Sequence, residues 1–269
     1  MMSLLKNICC GVILFLTFPA FAFPETHPDF RGLPVISMEV EGQKVWVKQP
    51  GPQKVGLKGC LKKALTQLIP IAVLRPTYYC LSRANLQNEA KRIDDLQARG
   101  IPVPQVLDLA SEWIVLSDLG PTLHKLIKAA DLPQKQSLMY RSTQALAELH
   151  AKGGYHGRGS LRDMTLTSSG EIGFIDFEEN PKGSLPLKQA RDLLMHLYSL
   201  STYTDNPQVI AECLQIYRKH GPALPLEAAI LMFNIANRFI QFLNLVPLGR
   251  DGVRLLKAQH LIEKGLEIK

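Results

Sequence analysis

Residues 150–179, HAKGGYHGRGSLRDMTLTSSGEIGFIDFEE, decide how this chain is read. An apolar-periodic helix running up to His150 stops at Gly153-Gly154, and the pair delivers a Tyr155-His156-Gly157 turn. A polar loop, Arg158-Gly159-Ser160-Leu161-Arg162-Asp163, follows it. Residues 164–177 then read as two short strands split by a turn at Ser168-Ser169-Gly170, ending on Ile175-Asp176-Phe177-Glu178. An aspartate at the end of an apolar strand is rigidly set yet faces an open loop. That combination suits holding Mg²⁺ against a phosphate, and a second oxygen ligand from the preceding loop would complete the clamp.

Upstream of this stretch the pattern is strand-rich. Ile36, Met38 and Val40 alternate with polar positions, Gly42 marks a turn, and Val45-Trp46-Val47 leads to Lys48, so a hairpin is expected over 33–48. Residues 54–69 carry Lys54, Lys58, Lys62 and Lys63 with leucines at helical spacing. This reads as a basic amphipathic helix, either packed on the domain or docked on an anionic membrane surface. A helix is expected over 82–99, with Glu89, Arg92 and Asp95 on or near one face and Gly100 as its cap. Trp113-Ile114-Val115-Leu116 reads as a buried strand, and Ser117-Asp118-Leu119-Gly120-Pro121 as a turn between lobes. Downstream the chain is mostly helical, over about 122–129, 134–152, 188–201, 207–219, 225–244 and 251–266. Strands first and helices later describe an α+β chain with a sheet-rich first lobe (24–119) and a helical second lobe (120–269).

The 269 residues are 46% hydrophobic and 20% charged, enough for a substantial core and too apolar for wholesale disorder. The net charge of +7 favours anionic partners. It does not by itself argue for nucleic acid, because no nucleic-acid motif or aromatic interleaving accompanies it, and no such partner is expected. Of the five cysteines, Cys9 and Cys10 lie in an apolar N-terminal run. Cys60, Cys80 and Cys213 have no zinc spacing and read as thiols, with a Cys60–Cys80 pair open only to an oxidising compartment. Lys6, the apolar run 8–23 and Ala20-Phe21-Ala22 resemble a secretory signal peptide, so residues 1–23 are expected to be a signal or an N-terminal anchor. The expected location is the cell envelope, with the cytoplasmic face of the inner membrane as the alternative.

In order and spacing, residues 33–203 resemble the protein-kinase-like superfamily and, within it, the bacterial lipopolysaccharide kinase branch. The resemblance implies a two-lobed protein-kinase-like fold that uses ATP with Mg²⁺ or Mn²⁺. It puts Asp176 at the metal-binding aspartate, with Glu178 in place of the motif's glycine, and Asp163 at the second metal ligand of the catalytic loop. Lys48 matches the lysine that contacts the α- and β-phosphates, and Glu89 its ion-pair partner. Asp118 and Leu119 match the hinge that contacts adenine. Asp192 matches the helix aspartate that braces the catalytic loop, and His156 a structural histidine of that loop. The implied acceptor is a hydroxyl of lipopolysaccharide, another lipid or sugar, or a protein.

Two positions depart from the pattern. A single glycine, Gly42, precedes Lys48 where a glycine-rich loop would cradle phosphates. The position of the catalytic aspartate holds Arg158, which stays charged and cannot accept a proton. Asp163 is then the candidate surrogate base, or Arg158 acts on the phosphates as a fixed charge. Arg158 could also pair with Asp192. An atypical phosphotransferase and a pseudokinase, a nucleotide-binding or scaffold module without catalysis, are the two functions these residues leave open.

Overall fold

A computed structural model of the chain describes residues 35–49, 72–75, 83–243 and 249–268. The signal-like segment 1–23, the basic segment 54–69 and Cys9, Cys10, Cys60 and Cys80 lie outside the described residues. No helix among the described residues is long and apolar enough to cross a membrane.

The alternation read in the first hairpin becomes β1 (Val35–Val40) and β2 (Gln43–Lys48). Glu41 and Gly42 join them, both at positive φ (52° and 75°), as a two-residue mirror-image turn requires. Strands β3 (Val106–Leu109) and β4 (Ile114–Ser117) complete an antiparallel sheet in the order β1-β2-β4-β3. Helix α1 (Arg83–Ala98) precedes β3 and buries Leu86, Glu89, Ala90, Ile93 and Leu96, a single stripe at helical spacing. Gly100, at φ 66°, closes the helix by donating to the Gln97 carbonyl.

Beyond Asp118–Pro121 the second lobe is helical: α2 (Leu123–Ala129), α3 (Leu132–Ala151), α4 (Leu185–Leu200), α5 (Pro207–His220), α6 (Ala223–Leu243) and α7 (Gly249–Glu267). The hairpin β5 (Met164–Leu166) and β6 (Ile172–Phe174) interrupts them. Helices α3 and α4 start two to three residues earlier than the sequence pattern suggested. Each carries proline in its first turn, where a missing N–H is no loss, so the proline opens the helix instead of preceding it. Asp131 caps α3 by accepting from Gln134 N–H at 2.9 Å. Helix α4 is buried nearly all round, with Ala190, Leu193, Leu194, Leu197 and Leu200 in the core and Arg191, Asp192 and His196 buried beside them. One apolar cluster runs from Leu86 and Ile93 of α1 through Leu149, Phe174 and Phe177 to Tyr217 of α5, so both lobes share a core. Cys213 lies within it, and burial pushes its thiol pKa up to about 12.

Candidate active site between the lobes

Three elements converge where the lobes meet. Strand β2 ends on Lys48, α1 presents Glu89 one turn before Ile93, and the segment after β6 presents Asp176. Lys48 Nζ lies 2.7 Å from Glu89 Oε1, 3.0 Å from Asp176 Oδ1 and 3.4 Å from Glu178 Oε1. Glu89 also accepts from Phe177 N–H at 3.3 Å, which ties the helix to the Asp-Phe-Glu segment. Burial works against the charge on Lys48, and the three carboxylates overcome it, so its pKa is raised. Burial likewise opposes ionisation of Asp176, but Lys48 and Arg158 bring its pKa down to about 2. Burial raises the pKa of Glu178, with Asp176 and Glu89 adding to the effect against Lys48.

A lysine at the end of an inner strand, paired to a helix carboxylate and facing a second carboxylate across an interlobe cleft, fixes the architecture. The fold is protein-kinase-like. Its strand order, its single first-lobe α-helix among the described residues and the hairpin that carries Asp176 into a helical second lobe all follow that plan.

The local backbone explains how Asp176 is aimed. The sequence put it at a strand end, but β6 stops at Phe174. Ile175 N–H still bonds to the Asp163 carbonyl at 2.9 Å, and Asp176 itself sits at φ 69°. This left-handed conformation is costly for a residue with a Cβ, and it turns the carboxylate out of the strand into the cleft.

The catalytic-loop segment is held by buried groups. Asp192, fully buried on α4, accepts from His156 N–H at 2.5 Å and Gly157 N–H at 2.7 Å. His156, also buried, bonds through Nε2 to the Ile175 carbonyl at 2.8 Å and stacks obliquely on Phe177. Gly157, at φ 103°, has no room for a Cβ, which would overlap the Glu179 carbonyl. His150 bonds to the Tyr217 hydroxyl at 2.6 Å and approaches Asp192 at 3.4 Å. Arg92 received no role from the sequence beyond sharing a helix face with Glu89. Its guanidinium takes four carbonyls: Phe177 (2.6 Å), Glu179 (2.7 Å), His156 (2.9 Å) and Tyr155 (3.2 Å). One residue of the first lobe therefore pins both functional loops of the second. Its place three residues after Glu89, on the same helix face, was the available signal.

Arg158 does not meet Asp192. Its Nε and Nη2 form a two-pronged bond to Asp163 (2.7 and 2.8 Å), and Nη2 also reaches Asp176 Oδ2 at 2.6 Å. The brace aspartate is already saturated by backbone N–H groups, while Asp163 and Asp176 lie within one guanidinium's span. Both Asp163 oxygens are engaged, so the candidate surrogate base is masked in this arrangement.

These carboxylates were expected to clamp Mg²⁺, and the residues as arranged do not fit that ion. All four oxygens of Asp163 and Asp176 face a cation of the protein: Asp176 Oδ1 meets Lys48 and the other three meet Arg158. Among the described residues no group of three or more His, Cys, Asp or Glu side chains is set to hold a metal. Mg²⁺ needs bare oxygens at about 2.1 Å in octahedral array.

The cleft itself is a cavity of about 480 Å³. Its wall mixes apolar residues, Val35, Pro104, Leu116, Leu119 and Ile175, with charged ones, Lys44, Lys48, Lys125, Arg162, Asp163, Asp176 and Glu178. Thr165 also lines it, and its buried hydroxyl has no partner among the described residues. Leu119 thus faces the cavity, whereas the Asp118 side chain is taken by Trp46 Nε1 (2.6 Å) and Lys44 (3.1 Å). A second cavity of about 640 Å³ adjoins the first and shares Arg162 and Asp163 with it. His124, Lys128, Arg158, Tyr203 and Arg254 contribute to its wall. Burial, then Lys128, Arg162 and Lys125, lower the pKa of His124, so the basin's positive charge comes from its lysine and arginines.

No family model matches the chain. An uncharacterised protein of Haemophilus influenzae is 29% identical over 194 residues, 71% of each chain. Among solved structures, WaaP in complex with acyl carrier protein is 13% identical, with 87% of each chain covered and a TM-score of 0.44. A MAP kinase of Leishmania major is 14% identical. It aligns over 74% of this chain and 58% of its own, with a TM-score of 0.35.

Proposed function

We propose that the chain is an atypical ATP-dependent phosphotransferase that receives ATP in the interlobe cleft and an anionic acceptor in the adjoining basic basin. The observation that carries this reading is Lys48, held by Glu89 and aimed with Asp176 into a cavity whose wall is part apolar and part charged. A nucleotide offers such a wall both a flat base and a charged polyphosphate. The two cavities share Arg162 and Asp163, and that junction supports transfer over storage, since a donor and an acceptor would meet there. In the step proposed, the bond between the γ-phosphorus and the β,γ-bridging oxygen breaks and a bond to the acceptor oxygen forms. The acceptor hydroxyl proton leaves to solvent and ADP departs. With Arg158 at the usual base position, rate enhancement comes from charge neutralisation by Lys48, Arg158 and Arg162. The acceptor class is a lipopolysaccharide, lipid, sugar or protein hydroxyl, and the basic basin and the signal-like N-terminus favour an anionic envelope component.

The test is a thermal-shift titration of the full chain with ATP, followed by release of ADP in the presence of candidate acceptors. A stabilising shift that Lys48→Ala removes supports the reading, and no shift in the wild type overturns it. The pseudokinase reading has its own observation, the hold of Arg158 on both oxygens of Asp163. ATP binding with neither autophosphorylation nor ADP release would favour it.

A further inference from the structure

We propose that Arg158 is the resident cation of the phosphate site, so that this cleft takes a nucleoside triphosphate free of divalent metal. The inference rests on the nucleotide reading of the cleft and deepens it.

The geometry carries the argument. Asp163 and Asp176 are two carboxylates of the cavity wall that lie within one guanidinium's span. The Arg158 fork is seated between them, with bonds of 2.7 and 2.8 Å to one and 2.6 Å to the other. Lys48 takes the remaining oxygen of Asp176 at 3.0 Å. A metal entering here would have to expel a guanidinium that never loses its proton from three charge-assisted bonds. Asp163 is deeply set, 7% exposed at its side chain, while Arg158 is 40% exposed and reaches from the basin side to it and to the half-buried Asp176. Asp163 is also fixed from behind, because its carbonyl accepts from Ile175 N–H.

A metal-free triphosphate needs cations at the site, and a pair of bare aspartates would repel it. Arg158 and Lys48 offset two of the four carboxylates there, Glu89, Asp163, Asp176 and Glu178. Lys125 and Arg162 stand exposed at the rim of the same cavity, with no carboxylate partner among the described residues. The tight Glu41-Gly42 turn offers little backbone cradling, so side-chain cations have to do the holding. Arg158 thus supplies at one atom group the charge that a divalent ion would supply between two carboxylates.

Two measurements on the full chain test this. In calorimetric titrations, ATP affinity in EDTA and in Mg²⁺ is expected to agree within about threefold, and Asp176→Asn is expected to keep or tighten binding in EDTA because it removes one negative charge beside Arg158 and Lys48. Binding more than about tenfold tighter in Mg²⁺, or abolished by Asp176→Asn, overturns the proposal. In the second measurement, Mn²⁺ is added without nucleotide and followed by electron paramagnetic resonance. The wild type is expected to leave Mn²⁺ free, Arg158→Gln to sequester it, and Arg158→Gln with Asp176→Asn to release it again. Sequestration by the wild type that Asp176→Asn abolishes overturns the proposal without need of any Arg158 variant. Failure of ATP to bind in either buffer overturns the nucleotide reading, and the manganese experiment tells that result apart from a wrong role for Arg158.

Discussion

The two sides of the cleft are built on different principles. On the first-lobe side, Lys48, Glu89 and Asp176 form a triangle in which one cation is shared by helix and loop carboxylates, the arrangement expected of a kinase-like nucleotide site. On the second-lobe side, Arg158 stands where a proton acceptor is expected and closes on Asp163 and Asp176. Asp176 belongs to both sides, with one oxygen given to each cation. Holding a polyphosphate and accepting a proton are therefore separable demands. The first asks for fixed positive charge beside the cleft, and Lys48 and Arg158 are fixed cations there. The second asks for a free carboxylate, which the loop side withholds.

Substitutions can break this contrast, and the largest effect is expected at Lys48. Lys48→Ala leaves Glu89 buried without its counter-charge, so a loss of roughly 4 kcal/mol is expected in urea unfolding, together with loss of the ATP-induced thermal shift. Asp192→Ala removes the acceptor of two buried backbone N–H groups. It is expected to destabilise by about 3 kcal/mol and to free the loop side while leaving the Lys48–Glu89 pair intact, readable as faster amide exchange at His156 and Gly157.

Acid should act on the loop side first. His196 is fully buried, bonded to the Gly159 carbonyl at 3.0 Å and to Thr143 Oγ1 at 3.0 Å, and burial lowers its pKa to about 4. Between pH 6.5 and about 4 the unfolded chain takes up a proton that the folded chain refuses, so stability falls as pH falls through that window. A decline of roughly 3 kcal/mol is expected there from urea midpoints, flattened in His196→Gln. Asp176, with its depressed pKa, adds its loss only below about pH 4, as the pH falls toward 2. An acid profile with no slope above pH 4 would contradict the buried neutral His196.

Arg92→Ala couples the two sides, because one side chain holds carbonyls of both loops. About 2 kcal/mol of destabilisation is expected, with a larger proportional drop in ATP affinity than a surface change would give. The smallest effect sharpens the slot itself. Thr165→Val should leave stability unchanged or slightly raised, by about 0.5 kcal/mol, because it removes an unsatisfied hydroxyl. ATP affinity should stay within about twofold, because the hydroxyl is buried behind the cavity wall. A larger loss would place the base against Thr165.

The elements of the fold were readable locally. Alternation set β1 and β2, the Gly42 turn joined them, and helical stripes set α1 and the second-lobe helices, because these patterns depend on neighbours a few residues apart. The departures from the sequence pattern are local too: Pro133 and Pro186 lie inside helices that begin at Leu132 and Leu185, and β6 ends at Phe174, short of Asp176. In the site, the motif spacing named Lys48, Glu89, Asp163 and Asp176, and the structure brings these four together. It left Arg92 without a task, because the carbonyls that Arg92 binds come from residues more than sixty positions away. It also left Arg158 with open choices, Asp192 among them.

Local pattern was thus enough for the order of strands and helices, because short-range periodicity, caps and turns encode it, whereas the resemblance to the kinase-like superfamily named the charged residues that could meet. Which charges pair was settled by the packing of the lobes. Asp192 is filled by backbone N–H groups and is closed to Arg158, whereas the left-handed turn at Asp176 carries its carboxylate to within one guanidinium of Asp163. Differences of about an ångström between distant loops choose among such partners, because charge-assisted bonds form only within a narrow range of distance and angle, and no local pattern specifies that range.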